Sequence, residues 1–144
     1  MPFIFNFARG VPEASERAIR KLAATLSKLT EIRHPLPVFV VAEDRLQDAS
    51  RPYGVFWFCE SDRTGRIELA GKGPLDEVLD TFAHELAHYE QWRDGKPVQE
   101  RGVSVRAKSL LRLASTSATT ASSRRPSKAK TAGGSAGTVR RKRA

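Results

Sequence analysis

The residues best suited to chemistry lie in the stretch HELAH at positions 84–88. Two histidines, His84 and His88, are four positions apart, so in a helix their imidazoles lie one turn apart on the same face. Glu85 directly follows the first of them. Imidazoles at this spacing can bind one Zn²⁺ ion at about 2.0–2.1 Å, and the adjacent glutamate can accept a proton from a water that the metal activates. The pattern therefore favours a catalytic zinc site.

An ordinary amphipathic helix with a solvent-facing polar side is the alternative interpretation of the same stretch. On a helical wheel at about 100° per residue, the polar side chains of residues 75–92 form one continuous face opposite the apolar ones. That polar face includes Glu77, Asp80, His84, His88 and Gln91. Such a face fits both interpretations, but only a zinc site explains the glutamate directly beside the first histidine.

The elements that must position these residues follow from hydrophobic spacing and from proline and glycine. Helices are predicted from Pro12 to the segment HPLP (34–37), from about 75 to 94, where Gly95 ends the helix, and from Pro97 to about 113. Strands are predicted at 37–42, 53–59 and 65–70, and residues 3–8 as either a short strand or a hydrophobic arm. The fold class is therefore α+β, with an N-terminal helix, a small three-stranded sheet, the HELAH helix and one following helix.

The positive charge of the chain is concentrated in its last segment. Residues 1–113 carry 17 Lys and Arg against 16 Asp and Glu, whereas residues 114–144 carry 8 basic residues and no acidic one. Residues 114–144 also lack large apolar side chains, so this segment is predicted to be a disordered basic tail beside a domain at 1–113. Such a tail could contact nucleic acid non-specifically through phosphates, or it could simply increase solubility.

The sequence also bears on where the protein acts. It contains no run of about 18 apolar residues, so we expect no membrane span. The apolar run from Phe3 to Ala8 has neither the basic residues before it nor the cleavage site after it that a signal peptide needs. The single cysteine, Cys59, allows no intrachain disulfide. These features together predict a cytoplasmic protein.

The segment FAHELAHYEQW (82–92) resembles the active helix of small zincin metallopeptidases. The similarity is to the SprT-like and ImmA/IrrE-like minimal gluzincins of bacteria and phages, and it covers roughly residues 12–113. The resemblance implies a zincin-like core, zinc as cofactor with His84 and His88 as ligands, and Glu85 as the catalytic base. It also implies that the strand at 65–70 is an edge strand beside the cleft, along which a substrate peptide could add as a further strand.

The resembled families take the third zinc ligand, usually a glutamate, from the following helix. An antiparallel helix that starts near Val98 returns to the level of His88 near position 104, where Ser104 is too short and too weakly basic to bind zinc. Glu100 lies one turn earlier on nearly the same face and is the predicted third ligand. The alternative for Glu100 is a first-turn glutamate that interacts with the helix dipole.

Three other acidic side chains are less suitable as ligands. Asp94 lies six residues after His88, but in a continuous helix it is about 120° away around the axis. Glu77 and Asp80 share the face of the histidines at least one turn back, where they are better placed to orient an imidazole than to bind a metal.

The sequence thus predicts a zinc-dependent metallopeptidase that hydrolyses peptide bonds in a protein or peptide substrate. The alternative is a catalytically degenerate zincin-like protein with a regulatory or DNA-associated binding role. Ser104, in place of the expected glutamate, and the basic tail favour that alternative.

Overall fold

The computed structural model of this chain describes residues 2–47 and 51–122. Its elements are, in chain order, β1 (Phe3–Phe7), α1 (Glu13–Leu29), β2 (Leu36–Val41), β3 (Gly54–Cys59), β4 (Thr64–Ala70), α2 (Leu75–Arg93) and α3 (Val103–Ser122). The predicted α+β class is confirmed. The chain divides into two units after Ala114, and all of the strands, α1 and α2 belong to the first. No helix among the described residues is long and apolar enough to cross a membrane.

The sheet has four strands, in the order β1-β2-β4-β3, so the prediction of a three-stranded sheet was wrong by one strand. The stretch at 3–8 is not a loose arm. It forms β1, which pairs with β2 in parallel, with Phe3 opposite Leu36. The alternation FIFNF explains this strand, because every second residue is a phenylalanine and Phe3 packs edge-on against Phe82 of α2.

The predicted edge strand at 65–70 lies inside the sheet, which corrects that expectation. β4 pairs in parallel with β2 on one side and antiparallel with β3 on the other. The strands at the two edges are therefore β1 and β3. Alternating apolar residues in β4 identify its buried face, but they carry no information on how many neighbours the strand has.

The core lies between one face of the sheet and the helices, since alternate strand residues face α1 and α2. Its most deeply buried side chains include Ile19, Leu26, Val38, Val40, Ile67, Leu69, Phe82 and Leu86. Close packing of α2 on the sheet depends on Gly54 in β3. A Cβ atom there would lie 2.6 Å from Cγ2 of Thr81, so any side chain would push the helix and the strand apart.

The connection from α2 to α3 is longer than predicted. α2 ends at Arg93, and Gly95 follows with a φ of 75°, in agreement with the predicted stop. The next helix begins at Val103 rather than at Pro97, because Gly102 has a φ of 82° and cannot belong to a right-handed helix. Glu100 therefore stands on a loop.

α3 also ends later than predicted, at Ser122 instead of about 113. The first residues of the segment predicted to be a disordered tail, 114–122, are thus helical. The remainder of that segment, 123–144, lies outside the described residues.

Candidate metal centre

Between Thr81 and Glu90, α2 is buried on its polar side as well, which corrects the expectation that the two histidines would face water if they held no metal. His84 and Glu85 are each 3% exposed, and His88 is 6% exposed. The apolar side of α2 packs on the sheet, and its polar side faces the loop that carries Glu100. Burial of this many polar groups requires partners for them.

One carboxylate supplies those partners for both histidines. Nε2 of His84 lies 3.0 Å from Oε1 of Glu100, and Nε2 of His88 lies 2.9 Å from Oε2 of the same residue. The ligand atoms of the three residues all lie within 4.8 Å of one another. The structure therefore brings together the three predicted ligands, two from α2 and one from the loop. Unlike the histidines, the side chain of Glu100 is 68% exposed.

This donor set fits a zinc ion. Two imidazole nitrogens and one carboxylate oxygen are the protein ligands of one common class of catalytic zinc site, which keeps a fourth position open. Ligand atoms at tetrahedral angles and about 2.0–2.1 Å from zinc stand roughly 3.3 Å apart, close to the separations of Nε2 from the Glu100 oxygens. The exposure of Glu100 leaves a route from solvent to the three ligand atoms.

Gln91 fixes the orientation of His88. Oε1 of Gln91 lies 3.1 Å from Nδ1 of His88 and accepts a hydrogen bond of 3.0 Å from the backbone N–H of Gln99. Because that atom accepts from a backbone N–H, it is the amide oxygen, so Nδ1 of His88 is the donor. Nε2 is thereby left directed at Glu100. Such outer hydrogen bonds typically set the tautomer and basicity of a metal-binding imidazole.

Glu85 is a buried carboxyl on α2. Burial is the main cause that raises the pKa of its carboxyl to about 7, and the negative charge of Glu100 acts in the same direction. The positive charge of Arg51 and a hydrogen bond from the backbone of Phe56 oppose this shift. A carboxyl with this pKa can both accept and release a proton near neutral pH, which is the requirement for a general base that later acts as an acid.

The same electrostatic effects act on the two other members of the cluster. Burial is the main cause that lowers the pKa of His84, and the positive charge of Arg51 lowers it further, so the neutral form that a metal needs is favoured. Desolvation alone would raise the pKa of Glu100. Hydrogen bonds and charge interactions with His88 and His84 outweigh it, so that the pKa lies below its usual value and the carboxylate form is favoured.

A second group of polar side chains holds α3 and the end of α1 on α2. Glu90 accepts hydrogen bonds from Nε and Nη2 of Arg106 at 2.7 and 2.8 Å, and one from the hydroxyl of Thr30. Nη1 of Arg93 donates to the same hydroxyl at 3.1 Å and to the backbone oxygen of Glu31 at 2.7 Å. These contacts start two residues after His88, so they fix the helix that follows the loop of Glu100.

The other acidic candidates have different surroundings. Asp94 pairs with Arg93 at 2.9 Å, away from the cluster. Glu77 is exposed, and Gln91 is the residue that contacts Nδ1 of His88. The orienting role of Asp80 stays a prediction. Asp80 and Ser104 line a pocket beside His84, together with Arg51 and Lys108.

Sequence reasoning missed Gln91 and Arg51 as residues of the site. Gln91 could have been found, because it is three residues after His88 on the same helix face. Nothing in the sequence relates Arg51 to His84, since the two are brought together only by the packing of the segment before β3 against α2 and α3.

Comparisons of the chain with protein-family models, with curated proteins and with solved structures found no significant match. The functional argument therefore depends on the geometry of the site.

Proposed function

We propose that this protein is a zinc-dependent metallopeptidase of the HExxH type, with His84, His88 and Glu100 as zinc ligands and Glu85 as the general base. One observation carries the proposal. The Nε2 atoms of both histidines converge on a carboxylate from a separate segment, with a buried glutamate next in sequence to the first histidine. The similarity of FAHELAHYEQW to the active helix of SprT-like and ImmA/IrrE-like zincins agrees with this assignment.

When bound, zinc would polarise the scissile carbonyl and lower the pKa of water. The chain's own residues have separate tasks in this reaction. Because Nδ1 of His88 donates to Gln91, Nε2 is the nitrogen that remains to bind the metal, and it is aimed at the cluster. Glu85 accepts a proton from the attacking water and returns it to the leaving amine, for which a pKa of about 7 is well matched.

The placement of Glu85 also supports an extended peptide as substrate. The backbone of Phe56, which lies in β3 at the edge of the sheet, is close enough to the Glu85 carboxyl to lower its pKa. A peptide that adds to the free edge of β3 as a further strand would pass close to this carboxyl. β3 thus takes the role that the sequence suggested for the strand at 65–70.

Metal content and hydrolysis of casein by the full chain test the proposal. The wild-type protein is expected to bind one zinc per chain and to hydrolyse casein. His84→Ala should lose the zinc, and Glu85→Gln should keep it while losing at least about 100-fold in activity. Glu77→Gln, an exposed change on the same helix, should leave both unchanged. Wild-type protein that takes up no zinc would refute the assignment.

The basic residues near the end of the sequence support a separate proposal, namely non-specific contact with nucleic acid. All eight lie between Arg124 and Arg143, with no acidic residue among them. Binding of a 20-nucleotide single strand should weaken steeply between 50 and 200 mM salt. It should disappear when residues 123–144 are deleted, and binding that survives this deletion would exclude the tail as the contact.

A further inference from the structure

A pocket of about 290 Å³ opens beside His84, between α2, α3 and the segment that leads into β3. Arg51 and Lys108 line it, with Asp80 as the acidic residue among its lining side chains. The charged groups of this pocket therefore sum to one positive charge. Its volume is slightly below the usual range of ligand pockets, about 300–1,000 Å³, and leaves room for one side chain or one chain terminus.

Arg51 is the member of this pocket whose hydrogen-bonding capacity is incomplete. Its Nε atom is buried and has no hydrogen-bond partner among the residues that the structure describes. A buried N–H without a partner costs free energy, so a carboxylate that draws the Arg51 side chain into the pocket and accepts from this atom would recover part of that cost. A guanidinium is also the side chain whose geometry best matches a carboxylate, because two parallel N–H groups can reach both oxygens.

Arg51 lines the same pocket as His84, so the pocket and the candidate metal centre are adjacent parts of one site. His84 belongs to both the metal centre and the pocket. Its Nε2 atom contacts Glu100, and its side chain lines the pocket. A peptide with its scissile bond at the cluster would therefore place a neighbouring group in this pocket.

Ser104 is a short, neutral residue of the pocket and adds no charge to it. It lies on α3 one turn before Lys108, at the position where a glutamate was expected from the sequence. Glu100 provides the carboxylate to the histidines here, so position 104 is released from that task. A glutamate at 104 would add a negative charge to the pocket and cancel its net positive charge.

We propose that this pocket is a substrate subsite that binds a carboxylate through Arg51, with Lys108 as the supporting charge. The proposal rests on the peptidase function proposed above, and it adds a substrate preference. The carboxylate could be that of an aspartate or glutamate side chain next to the scissile bond, or the terminal carboxylate of the peptide. The apolar side chains of Ala107 and Leu111 would contact the stem of the bound group.

Binding by the metal-free full chain tests the subsite independently of catalysis. Three probes of nearly equal size distinguish a side-chain carboxylate from a terminal carboxylate. N-acetylglutamate α-amide carries only the side-chain carboxylate, N-acetylglutamine carries only the terminal one, and N-acetylglutamine α-amide carries neither. In nuclear magnetic resonance titrations, at least one carboxylate probe should shift the Arg51 Nε–H and Ser104 amide signals, and the neutral probe should not. The carboxylate probe that binds more tightly shows whether the subsite takes a side-chain carboxylate or a terminal one.

Substitutions make the test specific to Arg51. Arg51→Gln should lower the affinity for the preferred probe at least tenfold. The affinity of Arg51→Lys should lie between those of Arg51→Gln and wild type. Arg17→Gln, which removes an exposed charge on α1, should bind like wild type. Three results would each overturn the proposal. They are binding of the neutral probe or of inorganic phosphate as tightly as the preferred carboxylate probe, and an affinity of Arg51→Gln for that probe equal to that of wild type.

Hydrolysis gives a second outcome if the peptidase function holds. Arg51→Gln should raise KM more for peptides with the preferred carboxylate than for matched peptides without it, while any change of kcat through the effect of Arg51 on Glu85 should be the same for both peptides. An equal rise of KM on peptides with and without that carboxylate would overturn the subsite, because it would show that Arg51 does not recognise the carboxylate. If no peptide is hydrolysed but the probes bind as expected, the peptidase proposal fails and the carboxylate site stands.

Discussion

Oε1 of Gln91 lies 3.1 Å from Nδ1 of His88 and 3.0 Å from the backbone nitrogen of Gln99. One amide oxygen thus joins an imidazole of the cluster to the residue directly before Glu100. A further contact at 3.4 Å, from Nε2 of Gln91 to the backbone oxygen of Arg101, holds the loop on the other side of Glu100. The loop that supplies the carboxylate is therefore held by a side chain of the helix that supplies the histidines.

Gln91→Leu should weaken zinc binding by roughly 10- to 100-fold, because the tautomer of His88 and the placement of Glu100 are lost together. Competition with a chromophoric chelator measures this affinity. Gln99→Ala is the matched control, since only the backbone of Gln99 takes part in the contact. Zinc affinity equal in Gln91→Leu and wild type would show that the hydrogen bond to His88 has no orienting role.

Glu100→Gln should reduce zinc affinity at least as strongly as Gln91→Leu, by about 100-fold or more, because it removes the charged ligand itself. The far-ultraviolet circular dichroism should be unchanged, since the side chain is 68% exposed and belongs to a loop. Glu43→Gln, an exposed change elsewhere, serves as the control in the same chelator competition. Undiminished affinity in Glu100→Gln would leave the site with only its two histidines.

Glu85 should make the metal-free protein less stable as the pH rises. The pKa of Glu85 is about 7 in the folded state, above the usual value of 4.5. Between these two pH values, the folded state therefore keeps a proton on Glu85 that the unfolded state has released. The resulting loss of stability begins near pH 4.5 and is complete above pH 7. Glu85→Gln stays neutral throughout and should exceed wild type in free energy of unfolding by up to about 3 kcal/mol at pH 8.

Urea unfolding in the presence of a chelator measures that difference, and near pH 4 it should vanish. Glu77→Gln is the control, because it makes the same chemical change at an exposed position of α2. A difference between Glu85→Gln and wild type that is the same at pH 4 and pH 8 would mean that ionisation of Glu85 is not its cause.

Arg106→Met should lower the free energy of unfolding by about 1–2 kcal/mol, because Glu90 loses its two hydrogen bonds from Arg106. The loss stays this small because solvent screens part of the ion pair between Arg106 and Glu90. Desolvation alone would raise the pKa of Glu90, but bonds from Arg106 and Thr30 outweigh it and the pKa is lowered. The stabilisation is therefore present above pH 4.5 and is lost as the pH falls through the folded pKa.

Urea midpoints at pH 7 and pH 3 test this prediction, with a smaller difference between Arg106→Met and wild type at the lower pH. Arg112→Met removes an exposed arginine from the same helix and should change the midpoint little. Equal losses in the two variants would assign the effect to the charge of α3 as a whole.

Several parts of the site were predictable because they depend on local chemistry. The spacing of His84 and His88 on a helix follows from its period, and Gly95 indicated where that helix ends. The distance along the helices from His88 pointed to position 104, and Glu100 was chosen as the acidic residue one turn before it on nearly the same face. The structure brings it to the histidines, although from a loop rather than from the first turn of a helix.

The parts that were not predictable depend on contacts between distant segments. The alternation in β4 indicated its buried face, but its place between β2 and β3 depends on which strands pair. The stretch at 3–8 becomes a strand because β2 offers it a parallel partner. Pro97 is typical of a helix start, and here the left-handed conformation of Gly102 delays that start to Val103.

The burial of residues 81–90 of α2 on both the apolar and the polar side of the helix has a consequence for the opening motions of the protein. Amide protons exchange with solvent when a segment opens, and a segment packed on every side opens only when its neighbours do. We therefore expect the amides around His84 and His88 to be among the last to exchange deuterium, while those of the exposed edge strands exchange earlier. The middle of the helix that holds the two histidines would then be the most slowly opening segment of the fold.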